Sequence, residues 1–163
     1  MFPQSVFKQT EPATLLQCEW VHDKRFVELL HASWISQYAD YLGADEAETL
    51  VHQLIASGEI YEHERAFTLQ ASVDDQLVGI AALRPLRGIS LITMLEVIPE
   101  KQGNGIGRQL IAALDLVSDK LMAHVSLHRP PVVAFYSSLG FHTLQRTNVH
   151  HYGHDLEFDV MAK

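Results

Sequence analysis

The sequence predicts an α/β (α+β) domain. Its centre is a mixed, mostly antiparallel sheet of about seven strands, flanked by about four helices. Three observations carry this. Strand-like and helix-like segments follow the order βααββ–βαβαββ, with strands in the majority and helices at specific gaps. A long apolar run over 89–99 leads directly into a Gly-rich turn and a helix. The composition, 47% apolar and 20% charged, is that of an ordinary globular chain, and no repeat or linker divides its 163 residues, so 1–163 is read as one domain.

Each element has its own signal. Residues 13–21 (ATLLQCEWV) read as the first strand. Asp23 caps a helix over 24–42, whose apolar positions Phe26, Leu29, Leu30, Trp34, Tyr38 and Leu42 recur at helical spacing. Gly43 ends it, and a second helix runs from Asp45 to Ser57 before Gly58. AFTLQASV (66–73) and LVGIAALRP (77–85) flank Asp74-Asp75-Gln76 as a hairpin. ISLITMLEVIP (89–99) is apolar enough to be a central strand covered on both faces. A helix over 105–119 places Ile106, Leu110, Ile111, Leu114 and Val117 on one side. LMAHVSL (121–127) is a strand. Pro130-Pro131 opens a short helix over 131–139, closed by Gly140. FHTLQRT (141–147) and HDLEFDVMA (154–162) are the last strands. In the final one Leu156, Phe158 and Val160 alternate with Asp155, Glu157 and Asp159, the pattern of a half-exposed strand.

Composition excludes several classes. No apolar run approaches the roughly 18 residues of a membrane span. The start, MFPQSVFKQTEP, lacks a basic n-region and a long apolar stretch, so a cytoplasmic location is expected. Cys18, the single cysteine, rules out an intrachain disulfide and a Cys-based zinc site, and its strand-like surroundings read as a small buried position. The net charge is −8, and between Arg25 and Arg65 there are eight acids and no Lys or Arg. That field disfavours nucleic acid and favours a cationic partner, or it is a solvated helical face.

The Gly-rich turn, Gln102-Gly103-Asn104-Gly105-Ile106-Gly107-Arg108, suits a phosphate or pyrophosphate. Glycines let backbone N–H groups approach a ligand, and the following helix adds its positive end. It is not a P-loop, because Gly107 is followed by Arg108 and Gln109. Nor is it a dinucleotide fingerprint, whose third glycine would fall on Arg108. It matches Gln/Arg-x-x-Gly-x-Gly/Ala, the acyl-CoA loop of the Gcn5-related N-acetyltransferase (GNAT) family. Downstream, Ala134-Phe135-Tyr136-Ser137-Ser138-Leu139-Gly140-Phe141 resembles the second signature of that family. About fifty residues from Leu95 carry these motifs, and the upstream element order also resembles the acyl-CoA N-acyltransferase fold.

The resemblance implies an N-acetyltransferase that passes the acetyl group of acetyl-CoA to an amine by direct attack, without a metal. Val97 backbone groups would pair with the pantetheine arm. Gln102, Gly103, Asn104, Gly105, Ile106, Gly107 and Arg108 would cradle the pyrophosphate. Tyr136 would be the acid for the leaving thiolate. The base is open. His124 lies on the same strand face as Ser126, twelve residues before Tyr136, where one branch of the family has Glu. Glu96 sits in an apolar run that would raise its pKa, but its strand parity is wrong unless a bulge intervenes. Each has a plainer reading, a packed strand histidine and a paired carboxylate. Where the family often has Asn, this chain has Arg129, facing a cofactor phosphate or solvent. The first helices of the family form much of the acceptor wall, so a cationic small amine or basic peptide end is the expected acceptor. Many relatives form homodimers, though no stretch here fixes an interface. A non-catalytic acyl-CoA-binding module on this fold would keep the glycines and lose the proton-handling groups. Ten histidines include His150, His151 and His154 near Tyr152, without a His-Glu-x-x-His spacing, and read as a polar loop that could border the acceptor pocket.

Overall fold

A computed structural model describes residues 12–18, 24–57 and 67–163. Within them, β1 (Thr14–Cys18), α1 (Lys24–Leu42), α2 (Ala44–Ala56), β2 (Phe67–Val73), β3 (Gln76–Leu86), β4 (Ile89–Val97), α3 (Ile106–Asp115), β5 (Leu121–Ser126), α4 (Pro130–Ser138), β6 (His142–His151) and β7 (His154–Ala162) follow in order. A 3₁₀ turn, Pro99–Lys101, links β4 to the glycine loop. The expected end of the first strand, the Asp23 cap and the Gly58 stop lie outside the described residues, as do Glu59, Glu62 and Glu64.

The seven strands form one sheet in the order β1-β2-β3-β4-β5-β7-β6. Only β4 and β5 run parallel; the other pairs are antiparallel. One core gathers Leu69, Ala71, Ala81 and Ile92 of the sheet with Ile106, Leu110, Leu114, Tyr136 and Phe141 on the α3–α4 side. Two smaller clusters place Phe26, Leu30, Ile80 and Met94, then Tyr38, Leu50, Val51 and Leu156, on the α1–α2 side. Gly43, at φ +86, ends α1 and starts α2, a conformation that glycine adopts without steric cost. Asp74 and Asp75, both at positive φ, form the two-residue turn between β2 and β3. Among the described residues no helix is long and apolar enough to cross a membrane.

Several details depart from the sequence pattern. α3 stops at Asp115, and Val117, expected on the inner side, is 54% exposed. The expected His-rich loop is a turn of two residues, Tyr152 and Gly153. β6 runs on through His150 and His151 because both residues of the turn take positive φ and let the strands meet. Asp159, expected on the exposed side of β7, is buried, and Arg146 (3.2 Å) and Thr143 (3.3 Å) donate to its carboxylate. Cys18 is half-buried, and burial pushes its thiol pKa up, so it is not held as a reactive thiolate. β4 is central, but most of it is only half-buried, because a cleft opens beside it.

Candidate active site

β4 and β5 pair only from Ser90–Leu121 to Ile92–Ala123, yet β4 continues to Val97 and β5 to Ser126. Beyond that point the strands part. Between them lies a cleft of about 470 Å³. A bulge in β4 marks the parting: Ala82 pairs with Met94, while the next residue, Leu83, pairs with Ile92, so Thr93 is the extra residue. Ile92 therefore packs on the α3–α4 side, whereas Met94 packs on the α1 side. Glu96, two residues on from Met94, meets α1. The bulge on which the direction of Glu96 depends is thus present in β4.

At one end of the cleft is the glycine loop. Gly103 (φ +78) and Gly105 (φ +83) hold the left-handed conformation that turns the chain from the 3₁₀ turn into α3. No side chain caps α3, and the first bond into its backbone runs from Gln109 N–H to the Gly105 carbonyl. The helix thus presents its N-terminal N–H groups beside the loop, with the positive end of the helix dipole behind them. Lys101, Arg108 and Arg129 line the same end, a local excess of positive charge in an acidic protein. Such an end fits a diphosphate. Of the loop residues, Gln102, Gly103, Gly105, Ile106, Gly107 and Arg108 line the cleft; Asn104 does not.

Side-chain directions correct parts of the expected cradle. The Ile106 side chain is in the core. Gly107 serves close packing as well: a Cβ there would lie 3.2 Å from Cζ of Phe135 on α4. The Arg108 guanidinium donates to Ser138 Oγ (2.9 Å), tying α3 to α4. The Gln102 amide nitrogen donates to the Val97 carbonyl (3.0 Å), because the 3₁₀ turn folds it back along β4. Its amide oxygen accepts from Arg129 Nη2 (3.4 Å), so Arg129 faces Gln102 across the mouth of the gap. The Val97 carbonyl is engaged here, and the cleft edge of β4 upstream of it has no β5 partner.

Deeper in are the titratable groups. Glu96 accepts hydrogen bonds from Ser33 Oγ and from Trp34 Nε1 (2.9 Å). Burial raises its pKa, opposed by those two donors and by the charge of Arg129. Tyr136 is 6% exposed, its ring held edge-on between Phe135 and Phe141 at 5.3 and 5.1 Å. Its hydroxyl has no hydrogen-bond partner among the described residues, and burial, then the Glu96 charge, push its pKa up. Tyr38, on α1, is pushed up to about 12 by burial and then by Glu96. His124 is an exposed residue of β5, opposite Val160 of β7, and lines the cleft. Glu96, His124 and Tyr136 therefore share one cleft with the glycine loop. None of His150, His151 and His154 lines it; His150 pairs with Asp155 (2.8 Å) and His154 with Glu46 (3.6 Å).

Sequence reasoning missed the partners on α1. Ser33 and Trp34 hold the carboxylate, and Gln37 lines the cleft. A signal existed: Ser33 interrupts the apolar face of α1 and is 1% exposed. Among the described residues, no acid of the Lys- and Arg-free span lines the cleft, and Glu96 is the one carboxylate there.

A family model described as the acetyltransferase (GNAT) family matches residues 15–141. Solved structures resemble the fold over nearly the whole chain. A GCN5-related N-acetyltransferase structure from Rhodopseudomonas palustris is 22% identical, with a TM-score of 0.77 over 94% of this chain and 96% of that one. The PaiA N-acetyltransferase of Thermoplasma acidophilum, solved in complex with coenzyme A, is 16% identical, with a TM-score of 0.72 over 93% and 98%. A GNAT family acetyltransferase of Elizabethkingia anophelis, solved with acetyl-CoA bound, is 16% identical, with a TM-score of 0.60 over 92% and 96%. No curated protein sequence matches.

Proposed function

The chain belongs to the acetyltransferase (GNAT) family, and from that membership and the geometry of the cleft we propose that it is an N-acetyltransferase using acetyl-CoA and an amine acceptor in one ternary complex. The observation that carries this reading is the parting of β4 from β5, which puts the glycine loop, Glu96 and Tyr136 on one gap. The chain fits acetyl-CoA. The uncapped N-terminus of α3 and the glycine loop suit its pyrophosphate, the unpaired edge of β4 suits its amide-bearing arm, and the unpartnered Tyr136 hydroxyl suits its sulfur. Bound there, acetyl-CoA supplies an activated acetyl thioester.

The protein then has two protons to manage. Glu96, its pKa raised by burial, takes the proton of the attacking amine. Ser33 and Trp34 keep the carboxylate in place, and each oxygen retains a lone pair for the proton. Tyr136 donates its O–H to the departing sulfur. A phenol raised this far is a poor acid while Glu96 is charged. Burial, the larger cause, stays in force throughout, but once Glu96 is protonated its smaller contribution is gone, so removing the amine proton eases the phenol's own transfer. The burial of Glu96 and its two fixed donors, against the exposure of His124, favour Glu96 as base. His124 stands exposed on the cleft wall. The acids of α1 and α2 do not line the cleft, so they act on a cationic acceptor by long-range steering and not by contact.

Calorimetric titration with acetyl-CoA, followed by thiol release over an amine panel at several ionic strengths, tests this reading. Binding with amine-dependent thiol release supports it. Faster release for cationic amines that fades with salt supports steering. Binding without release on any amine would favour the non-catalytic module, and no binding would sink the proposal.

A further inference from the structure

Away from the cleft, the α1–α2 hairpin gathers three side chains with metal-ligand chemistry. α2 returns along α1 after Gly43. His31 lies one turn before Ile35, on the α1 stripe that packs towards α2. Glu48 and His52 are four residues apart on α2 and so share a face. One ligand atom from each of His31, Glu48 and His52 lies within 4.8 Å of the others. The imidazole rings of His31 and His52 are 5.2 Å apart and tilted by 43°. His31 is half-buried; Glu48 and His52 are exposed.

Two further observations separate this trio from a solvated cluster. Among the described residues none of the three has a hydrogen bond or ion pair, whereas neighbouring acids are engaged: Glu28 with Lys24 (3.5 Å) and Glu46 with His154 (3.6 Å). The trio also sits inside the span with eight acids and no Lys or Arg, whose field concentrates cations.

We propose that His31, Glu48 and His52 form a surface site for a transition-metal cation of the Zn²⁺ class, which clips α2 to α1. The donor set decides the class. Two imidazoles and one carboxylate suit Zn²⁺ and its neighbours and are poor for Mg²⁺ or Ca²⁺, which take oxygen ligands. With bonds of about 2.0–2.1 Å, tetrahedral ligand atoms stand about 3.4 Å apart, so a small rotamer adjustment of exposed Glu48 and His52 closes the set. Water completes the coordination. The site is separate from the cleft, which none of the three lines. It bears on α1, the helix whose Ser33 and Trp34 hold Glu96.

The test is calorimetry of the full chain, freed of metal with a chelator, against ZnCl₂, with Co²⁺ absorption reading coordination geometry. The expected result is one Zn²⁺ per chain, a melting temperature that rises to a plateau with added metal, and the intense visible bands of a low-coordinate Co²⁺. H31A and H52A each weaken binding at least about tenfold, while H151A, in the other histidine cluster, leaves it unchanged. Circular dichroism checks folding. If H31A fails to fold, exposed H52A and E48Q carry the comparison. Binding that survives H52A and E48Q but is lost in H151A overturns the assignment, as does the absence of binding below millimolar Zn²⁺.

Discussion

In Tyr136 the ring and the hydroxyl stand in different surroundings, so the proposed proton transfer can be tested apart from packing. Its ring is locked between Phe135 and Phe141, while its hydroxyl bonds to nothing among the described residues. Tyr136→Phe therefore keeps the aromatic contacts and removes no hydrogen bond to the described residues. The melting temperature should hold or rise slightly, because a buried unpaired hydroxyl is unfavourable. Loss of the proton donor should lower kcat by about 10²-fold or more, with acetyl-CoA affinity unchanged. A purely structural tyrosine would give the opposite pattern, a melting shift with kcat intact. Glu96→Gln, compared with His124→Asn, decides the base in the same assay: the variant that abolishes the acidic limb of the kcat/KM profile removes it. The sequence made Tyr136 legible because its signature is local. Glu96 could be named but not placed, since its direction depends on the unseen extra residue Thr93.

At the scale of elements, periodicity and punctuation were readable, and pairing defects were not. The helix over 24–42 is found as Lys24–Leu42, and the short helix opening at Pro130-Pro131 is found as Pro130–Ser138. The first follows from apolar spacing and the glycine stop, the second from its opening prolines and the glycine that closes it. The bulge in β4 and the divergence from β5 have no such signature: the first is a register shift against the adjoining strand β3 that leaves the apolar run of β4 unbroken, and the second depends on β5, beyond the glycine loop and α3. Gln102 shows the same limit: its motif marks a phosphate loop, yet its side chain reaches back to Val97 and across to Arg129. The glycines divide by element. Gly105→Ala puts a Cβ at φ +83 and should cost about 1–2 kcal/mol of stability while weakening acetyl-CoA binding through a distorted loop. Gly107→Ala pushes a methyl to 3.2 Å from the Phe135 ring and should separate α3 from α4, lowering stability by about 1–3 kcal/mol. Chemical unfolding and calorimetric titration of the two variants, side by side, check that Gly105 acts on ligand binding more than Gly107 does.

The whole molecule is organised around one carboxylate. Glu96 stands in the central sheet, with Tyr38 of α1 packed in the α1–α2 layer and Tyr136 of α4 in the α3–α4 layer; burial raises both phenols, and the charge of Glu96 adds to the rise. That arrangement makes stability pH-dependent at the alkaline end, and the sign follows from proton counts. Below pH about 10 both phenols are protonated in the folded and unfolded chain, so they add no slope. Above it the unfolded chain releases their protons, while the folded chain keeps that of Tyr38 up to about pH 12 and that of Tyr136 at least as long. The unfolded state then binds fewer protons, and stability falls as pH rises, by about 1.4 kcal/mol per pH unit for each phenol. Because the unfolded phenols are only half ionised at pH 10, the two together remove about 3 kcal/mol between pH 10 and 11.5, a large part of the roughly 5–15 kcal/mol that holds a domain of this size. Urea midpoints measured from pH 9 to 11.5 should decline steeply, and Tyr38→Phe should reduce the slope, leaving the contributions of Tyr136 and of the Cys18 thiol, which burial also raises. A flat wild-type profile, or a slope unmoved by Tyr38→Phe, would mean that these phenols are not buried around Glu96 as two layers closing on one charge.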